Sequence, residues 1–275
     1  MALHDDDLAR NRRWWDERAG LHADTPMYRP WLERLRRGEP ALFELERRLM
    51  GDVAGMRVLH LPCHIGHDTL SWALLGAHVT GVDFSPVALA EARRLQEQVP
   101  LPAEVEVQWV QADAQNLPEA FTGRFDRVVA TYGAYGWMPD LGAWLRGVAR
   151  SLAPGGRFVL VDGHPIFLGL EHADGHYRVA EPMMGGGRVQ NERSGSYADP
   201  NLPTQHDVEV GWCHGVGALV QGVLDAGLVV EGLEEHPFCV WEGVPGMVRD
   251  GELFRLPAPW DGHIPLMLSM VARKP

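Results

Sequence analysis

Two aspartates, Asp83 and Asp113, each follow a short apolar run, and a tight loop, Pro62-Cys63-His64-Ile65-Gly66, follows a third run, Val58-Leu59-His60-Leu61. A carboxylate at the end of a strand can accept hydrogen bonds from both hydroxyls of a ribose. One unit later, Asp113 can accept an exocyclic amine while the Ala114 amide donates to the ring beside it. Gly66, which lacks a Cβ, permits close approach, and backbone amides of the loop can meet polar ligand atoms where Asp68 and Thr69 open a helix. Asp83 lies 17 residues beyond Gly66, a spacing that carries the chain from one strand end to the next. The two carboxylates thus address opposite ends of one adenosine. The competing reading is local: Asp83 can cap the helix entered through Ser85-Pro86, and Asp113 a turn before Leu117-Pro118.

Acid–base chemistry at neutral pH points to histidine. His164, in Val161-Asp162-Gly163-His164-Pro165, follows a strand directly, and Asp162 can bind its imidazole. His214, in Trp212-Cys213-His214, is the second candidate, read as lying on a helix that faces the cap. Tyr28, Tyr177 and Tyr197 are candidate acceptor contacts or packing anchors. His60, His64 and His67 lie at a strand end and in an irregular loop without an accompanying acid at metal-site spacing, so no metal is expected. Cys63 has no acid–base partner in sequence and reads as a small packed residue.

The elements that position these residues follow from periodicity. Apolar runs at 57–61, 78–83, 105–110, 125–131 and 157–162 alternate with helical patterns, which predicts βαβ units and a mostly parallel sheet covered on both faces. Ala88, Ala92, Leu95 and Val99 mark one buried helix face, and Leu141, Trp144, Leu145, Val148, Ala149 and Leu152 another. Asp140 caps the latter helix, and Pro154-Gly155-Gly156 stops it. Before the sheet, Leu8 and Trp15 share one face of a helix whose Arg10, Arg13 and Glu17 stay wet. Pro26 and Pro30 interrupt it, and a helical pattern resumes over 42–49. A helix is predicted around 208–225, and strands at 228–236 and 264–272 close the sheet with an antiparallel return. The expected organisation is a helical cap over 1–55, a cofactor-binding domain over 56–275, and within it an irregular, Gly/Pro/His-rich lid over 163–207.

Composition narrows the function classes. The 275 residues carry a formal charge of −12, and Lys274 is the sole lysine. A negative field without a dense basic run argues against nucleic acid as substrate. Apolar runs fall far short of the roughly 20 residues needed to cross a bilayer. The acidic start, Met1-Ala2-Leu3-His4-Asp5-Asp6-Asp7, does not read as a secretory signal. Cys63, Cys213 and Cys239 form no CxxC pair, so a reduced, cytoplasmic protein without a membrane partner is expected. Oligomeric state is open.

The set resembles the class I S-adenosylmethionine-dependent methyltransferases. The segment 58-VLHLPCHIG-66 is similar to the family's first motif, 79-VTGVDFS-85 to its second, 110-VQADAQNLP-118 to its adenine segment, 125-FDRVVATYG-133 to its fourth strand, and 152–162 to its entry into strand five. The first motif departs from DxGxGxG, with His60 in the acid's place and Pro62 and His64 at two glycine positions. The resemblance implies an α/β, three-layer Rossmann-like fold with a seven-stranded, mostly parallel sheet whose last strand is antiparallel, an N-terminal helical cap and an insertion after strand five. It implies S-adenosylmethionine as cofactor, with Asp83 and neighbouring Phe84 at the ribose and Asp113 and Ala114 at the adenine. The backbone of His60, Pro62, Cys63, His64 and Gly66 would hold the methionyl end, and Thr131 and Tyr132 would wall the junction of donor and acceptor. The acceptor-binding set is Trp15, Tyr28, Trp137, His164, Tyr177, Tyr197 and His214. Of the ten tryptophans, Trp14, Trp15, Trp31, Trp137 and Trp212 are placed to line an aromatic acceptor pocket, and Trp72 and Trp144 to pack helices. Methyl transfer to a small molecule, O- ahead of N-methylation, is the expected activity. The alternatives are a nicotinamide-dependent oxidoreductase, which the poor glycine pattern disfavours, and a non-catalytic cofactor sensor or interaction protein.

Overall fold

The computed structural model describes residues 2–182 and 185–275, with side chains from Asp6 onward. Met1, Met183 and Met184, which fall in the expected cap and insertion, lie outside the described residues. The chain begins with helices α1 (Ala2–His22), α2 (Arg29–Arg36) and α3 (Glu44–Met50). It then alternates through β1 (Arg57–His60), α4 (His67–Leu74), β2 (His78–Asp83), α5 (Pro86–Gln96), β3 (Val107–Gln111), β4 (Phe125–Thr131), α6 (Leu141–Ser151) and β5 (Leu152–Gly163). After β5 come α7 (Pro165–Leu168), β6 (Leu170–Ala173), β7 (His176–Val179), β8 (Gly187–Glu192), β9 (Val208–Cys213) and α8 (Val216–Asp225). β10 (Val229–His236), β11 (Val248–Asp250), β12 (Leu253–Arg255) and β13 (Met267–Arg273) complete it.

The main sheet has seven strands in the order β10-β13-β5-β4-β1-β2-β3. β1 to β5 pair in parallel, whereas β13 runs antiparallel between β5 and β10, from Met267 opposite Gly163 to Arg273 opposite Arg157. Strand order reverses at β1/β4, so the crevice above their carboxyl ends is where such a sheet takes a ligand.

Alternation within the strands builds two core layers. Leu59, Val128, Phe158 and Leu160 face α6 and α8, meeting Trp144, Leu145, Leu219 and Val223. Val58, Val129, Val159 and Val161 face the other way, with Leu45 and Met50 of α3 and Trp72 of α4. Ser85 caps α5 by accepting the Ala88 amide, and Asp140 caps α6 through Ala143.

Three expectations need correction. Residues 208–213 form a strand, because Val208, Val210 and Trp212 recur with period two and pair with β8 from Val208 opposite Glu192 to Cys213 opposite Gly187. The helix starts only at Val216. The segment after Gly163 is organised as a short helix and two hairpin pairings, β6–β7 and β8–β9. On α1 the buried stripe is polar: Asp7, Asn11 and Arg18 are almost fully buried beside Trp14, while Leu8 and Trp15 are half-buried. Asn11 forms two hydrogen bonds with the Val210 backbone, and Arg188 grips Asp7 with two nitrogens at 2.6 and 2.8 Å. Arg18 donates to the carbonyls of His206 and Arg193 and lies 3.7 Å over the Trp14 ring. These bonds seat the insertion on the cap.

Gly66, with φ +79°, and Gly81 share one cause. A Cβ at Gly66 would lie 2.4 Å from the Trp109 indole, and one at Gly81 would lie 2.7 Å from it. Gly66→Ala is therefore expected to destabilise the protein by roughly 2 kcal/mol or more through overpacking and backbone strain. Trp109→Leu in the same chain should recover part of that loss in chemical denaturation; no recovery would show that the ring is not the obstacle.

Candidate active site

A cavity of ≈ 760 Å³ opens above the carboxyl ends of β1, β2 and β4 and beneath the cap and insertion. Asp83 and Asp113 both line it, as do Phe84, Ala112 and Ala114. The Asp83 carboxylate accepts the Ser85 amide on Oδ1 (2.9 Å) and the His64 amide on Oδ2 (2.8 Å), tying the loop after β1 to the end of β2. Each oxygen keeps a second acceptor position. Burial pushes this carboxyl up to about 6 against the pull of the two amides. Asp113 accepts the Gln115 amide on Oδ1, the expected turn contact, which leaves Oδ2 for another donor. Local capping and cavity lining thus coexist in both residues.

His60, Pro62, Cys63 and His64 line the same cavity, but Gly66 does not. The space left by its missing Cβ is filled by Trp109 and Ala92, so its role is packing and not approach to a ligand. The loop amides are also largely engaged: Leu61 donates to Val129, Cys63 to Val82, His64 to Asp83 and Gly66 to Cys63. Pro62 has no N–H. The expectation that loop amides hold the methionyl end is corrected accordingly; the first amides of α4, at His67 to Thr69, remain as the helix-end donors.

Much of the remaining lining is aromatic. Trp14, Trp15, Trp31, Trp137, Trp212 and Trp241 line it together with Tyr28, Phe43, Tyr132 and Tyr197. Trp15 packs edge-on to Trp137 with ring centroids 5.2 Å apart. Tyr28 and Tyr197 join hydroxyl to hydroxyl at 2.6 Å, so Tyr197 turns its polar end inward although half of its side chain is exposed. His22 bridges His64 Nε2 (2.8 Å) and Ser196 Oγ (2.6 Å), linking the cap to both the loop and the insertion. Burial holds His22 down to about 3, so the bridge is neutral. Trp72 and Trp144 are core residues.

The cavity lining also includes a polar cluster that sequence reasoning missed. Asp68 lines the cavity, with Oδ1 3.1 Å from His67 Nε2 and Oδ2 3.4 Å from Thr131 Oγ1. His60 uses Nδ1 on Thr69 (2.8 Å) and Nε2 on Thr131 (3.4 Å), and burial lowers it to about 4. Tyr132, in the left-handed region at φ +55°, donates its hydroxyl to fully buried Glu46. Burial, then repulsion from Asp68, raises Glu46 to about 8. In sequence Asp68 reads as a helix opener and Glu46 as one acid in an amphipathic helix; neither carries a signal of facing the sheet edge.

Three expected site residues lie elsewhere or act differently. His164 is buried outside the cavity lining: Nδ1 accepts the Ile166 amide to cap α7, and Nε2 contacts Glu235 at 2.9 Å. Both nitrogens are used, so neither an acid–base nor an acceptor-binding role fits. Asp162 does not bind His164; it accepts amides from Gly133, Ala134, Tyr135 and Gly163 and folds the loop after β4 against β5. Tyr177 is absent from the lining and packs with His172 and Trp260 on the β6–β7 hairpin. His214 does line the cavity, from the turn after β9, not from a helix. Its Nε2 lies 2.7 Å from the Met138 carbonyl and so carries the ring proton.

A family model described as "Methyltransferase domain" matches residues 58–156, the segment that contains β1 to β4 and both aspartates. Residues 58–156 thus match a methyltransferase domain. Over 151 residues the chain is 31% identical to a ubiquinone biosynthesis O-methyltransferase of Pseudomonas aeruginosa, a match covering 54% of this chain and 56% of that protein. The chain thus spans about half the length of the curated relatives it matches. In fold, the chain is similar to an S-adenosylmethionine-dependent methyltransferase of Mesorhizobium loti, at TM-score 0.55 and 22% identity over 83% of this chain and 95% of that one. It is similar also to the glycopeptide N-methyltransferase MtfA, at TM-score 0.53 and 18% identity over 84% and 92%. Among the described residues, no helix is long and apolar enough to cross a membrane.

Two outcomes follow for the protein. Glu46 binds a proton in the folded protein at pH values where the unfolded chain has released it, so stability falls as pH rises from about 4.5 to about 8. Thermal denaturation of Glu46→Gln across that window should show a flatter profile; an unchanged slope would remove Glu46 as the cause. His164→Gln is expected to cost about 1 kcal/mol of stability through the lost cap. It should leave S-adenosylmethionine affinity within error by calorimetry, and a large loss of affinity would contradict the placement of His164 outside the cavity.

Proposed function

We propose that the protein transfers the methyl group of S-adenosylmethionine to a small, aromatic or partly apolar acceptor, with hydroxyl acceptors favoured over amines. The observation that carries this reading is one cavity lined by two carboxylates, Asp83 and Asp113, by Asp68 and Thr131, and by six tryptophans. The residues fit the cofactor: Asp83 retains acceptor capacity for a ribose diol and Asp113 Oδ2 for an exocyclic amine, and Phe84 and Ala114 line the same cavity. The cofactor, when bound, supplies an activated methyl group, so the protein needs no covalent nucleophile. Its own task is to align the acceptor, exclude water and receive a proton.

Six lining tryptophans support an acceptor with a planar apolar body. The relatives named O-methyltransferases support a hydroxyl, while the similar fold of an N-methyltransferase keeps an amine as the second reading. In this reading residues 1–55 are the cap, 56–275 the cofactor-binding domain and 163–207 the acceptor-binding insertion. Three free thiols suit a reducing, cytoplasmic setting.

Titration calorimetry should show saturable S-adenosylmethionine binding that Asp83→Asn weakens about tenfold or more, the equivalent of about 1.4 kcal/mol. An acceptor screen read by mass spectrometry should report the added methyl and the demethylated cofactor together, with phenols ahead of anilines. Absence of binding by the folded protein would overturn the reading, and binding without any methyl transfer across the screen would favour a sensor.

A further inference from the structure

Charge is distributed unevenly around the cavity. Among the described residues that line it, Asp68, Asp83, Asp113, Asp162, Glu181 and Glu209 carry carboxylates, whereas Arg193 alone carries a positive side chain. Arg193 is largely exposed and lies 3.5 Å from Glu209. Burial lowers His60, His64 and His214, which leaves their rings uncharged at pH 7. Asp162 is occupied by backbone amides, and Asp83 and Asp113 have acceptor positions that suit adenosine.

Asp68, in the first turn of α4, is more than nine-tenths buried and poorly satisfied. Oδ2 accepts the Thr131 hydroxyl at 3.4 Å. Oδ1 comes within 3.1 Å of His67 Nε2 but accepts no hydrogen bond among the described residues. Unlike His67 Nδ1, it is not sealed off: 11% of the Asp68 side chain stays accessible, and the residue lines the cavity. A buried carboxylate with acceptor positions unfilled is costly, and a cation that fills them relieves the cost.

The groups around Asp68 are aromatic. Tyr28 of the cap, Tyr132 after β4 and Tyr197 of the insertion line the cavity with it. Burial first, and the Asp68 charge as a further cause, raises all three hydroxyls, so the three rings lie within reach of its field. Aromatic faces attract cations, and an anion among them strengthens that preference while repelling a second anion.

We propose that Asp68, with the aromatic rings around it, binds a protonated amine, so that the acceptor is an aromatic compound carrying an ammonium group in addition to the hydroxyl that is methylated. This rests on the methyl-transfer reading and names its substrate class. The ammonium donates to Oδ1 and to the free acceptor position of Oδ2, and its charge offsets the carboxylate. A protonated amine has no lone pair, so its capture by Asp68 leaves the hydroxyl as the nucleophile. Asp68 binds and orients; no group is transferred to it.

The test is calorimetry at pH 7 on the full-length protein without cofactor, comparing tyramine, a phenol with an ammonium group, with 4-ethylphenol, its uncharged counterpart. The wild type is expected to bind tyramine about tenfold or more tightly. Asp68→Asn should remove most of that preference while leaving 4-ethylphenol affinity within about twofold, a control for an intact cavity. Should Asp68→Asn fail to fold, Asp68→Ser is read in the same way. Repeating the tyramine titration on protein saturated with S-adenosylhomocysteine separates an acceptor ammonium from that of the cofactor's methionyl end: retained binding supports the proposal, and competitive loss assigns Asp68 to the cofactor and overturns it. Failure of S-adenosylhomocysteine to bind would sink the methyl-transfer reading, while the cofactor-free titrations still judge the ammonium site. No tyramine binding, equal binding of the two phenols, or a preference that survives removal of the Asp68 carboxylate overturns the proposal.

Discussion

A stripe of polar side chains along α1 holds the cavity together. Asp7, Asn11, Arg18 and His22 recur at helical spacing, and all four are buried. Each is paired with the stretch from β8 to β9: Asp7 with Arg188, Asn11 with the Val210 backbone, Arg18 with two carbonyls, and His22 with Ser196. Buried polar groups are tolerated only when matched, so removing one partner costs more than the bond it made. The seam therefore specifies one docking of cap on insertion, where an apolar face would tolerate sliding. Without that docking the carboxyl edge of the sheet would be an open shelf, and the tryptophans of both segments would have no common chamber.

Beneath the seam, the sheet edge is prepared by a second constraint. Trp109 occupies the space that side chains at Gly66 and Gly81 would take, which lets the loop after β1 lie close to β2. Asp83 then collects the His64 and Ser85 amides, so one carboxylate both closes the loop and faces the cavity. The loop uses its amides internally, and this is how it keeps its shape with Pro62 and His64 where the family commonly has glycine. His64 itself takes a left-handed conformation at φ +48°, a backbone state glycine adopts readily. Its amide bond to Asp83 and its ring contact with His22 help hold that conformation.

The chemistry of the site follows from what burial does to its ionisable groups. Neutral His22, His60 and His64 serve as hydrogen-bonding spacers. Glu46 shares its carboxyl with Tyr132 and the Phe43 amide. Asp68, on α4, contacts Thr131 at the end of β4, and neighbouring His67 has its Nδ1 buried without a hydrogen-bond partner among the described residues. Aromatic walls surround this small polar centre, a pattern suited to a flat acceptor with one protic group.

The alternating runs of β1 to β5, the capping residues Ser85 and Asp140, and the paired aspartates were legible in the sequence because each depends on neighbours within a few residues. The family motifs carried the topology with them, including the antiparallel last strand. Period-two spacing in Val208, Val210 and Trp212 was also present in the sequence, but a helix signal immediately downstream masked it. Other features are set largely by contacts between segments distant in the chain. The polar face of α1 is legible as buried only when β9 is seen against it, and His164 is excluded from catalysis only by Glu235 and Ile166. Local periodicity determined which residues form strands and helices; which side chains share one cavity was decided by packing between segments remote in the chain.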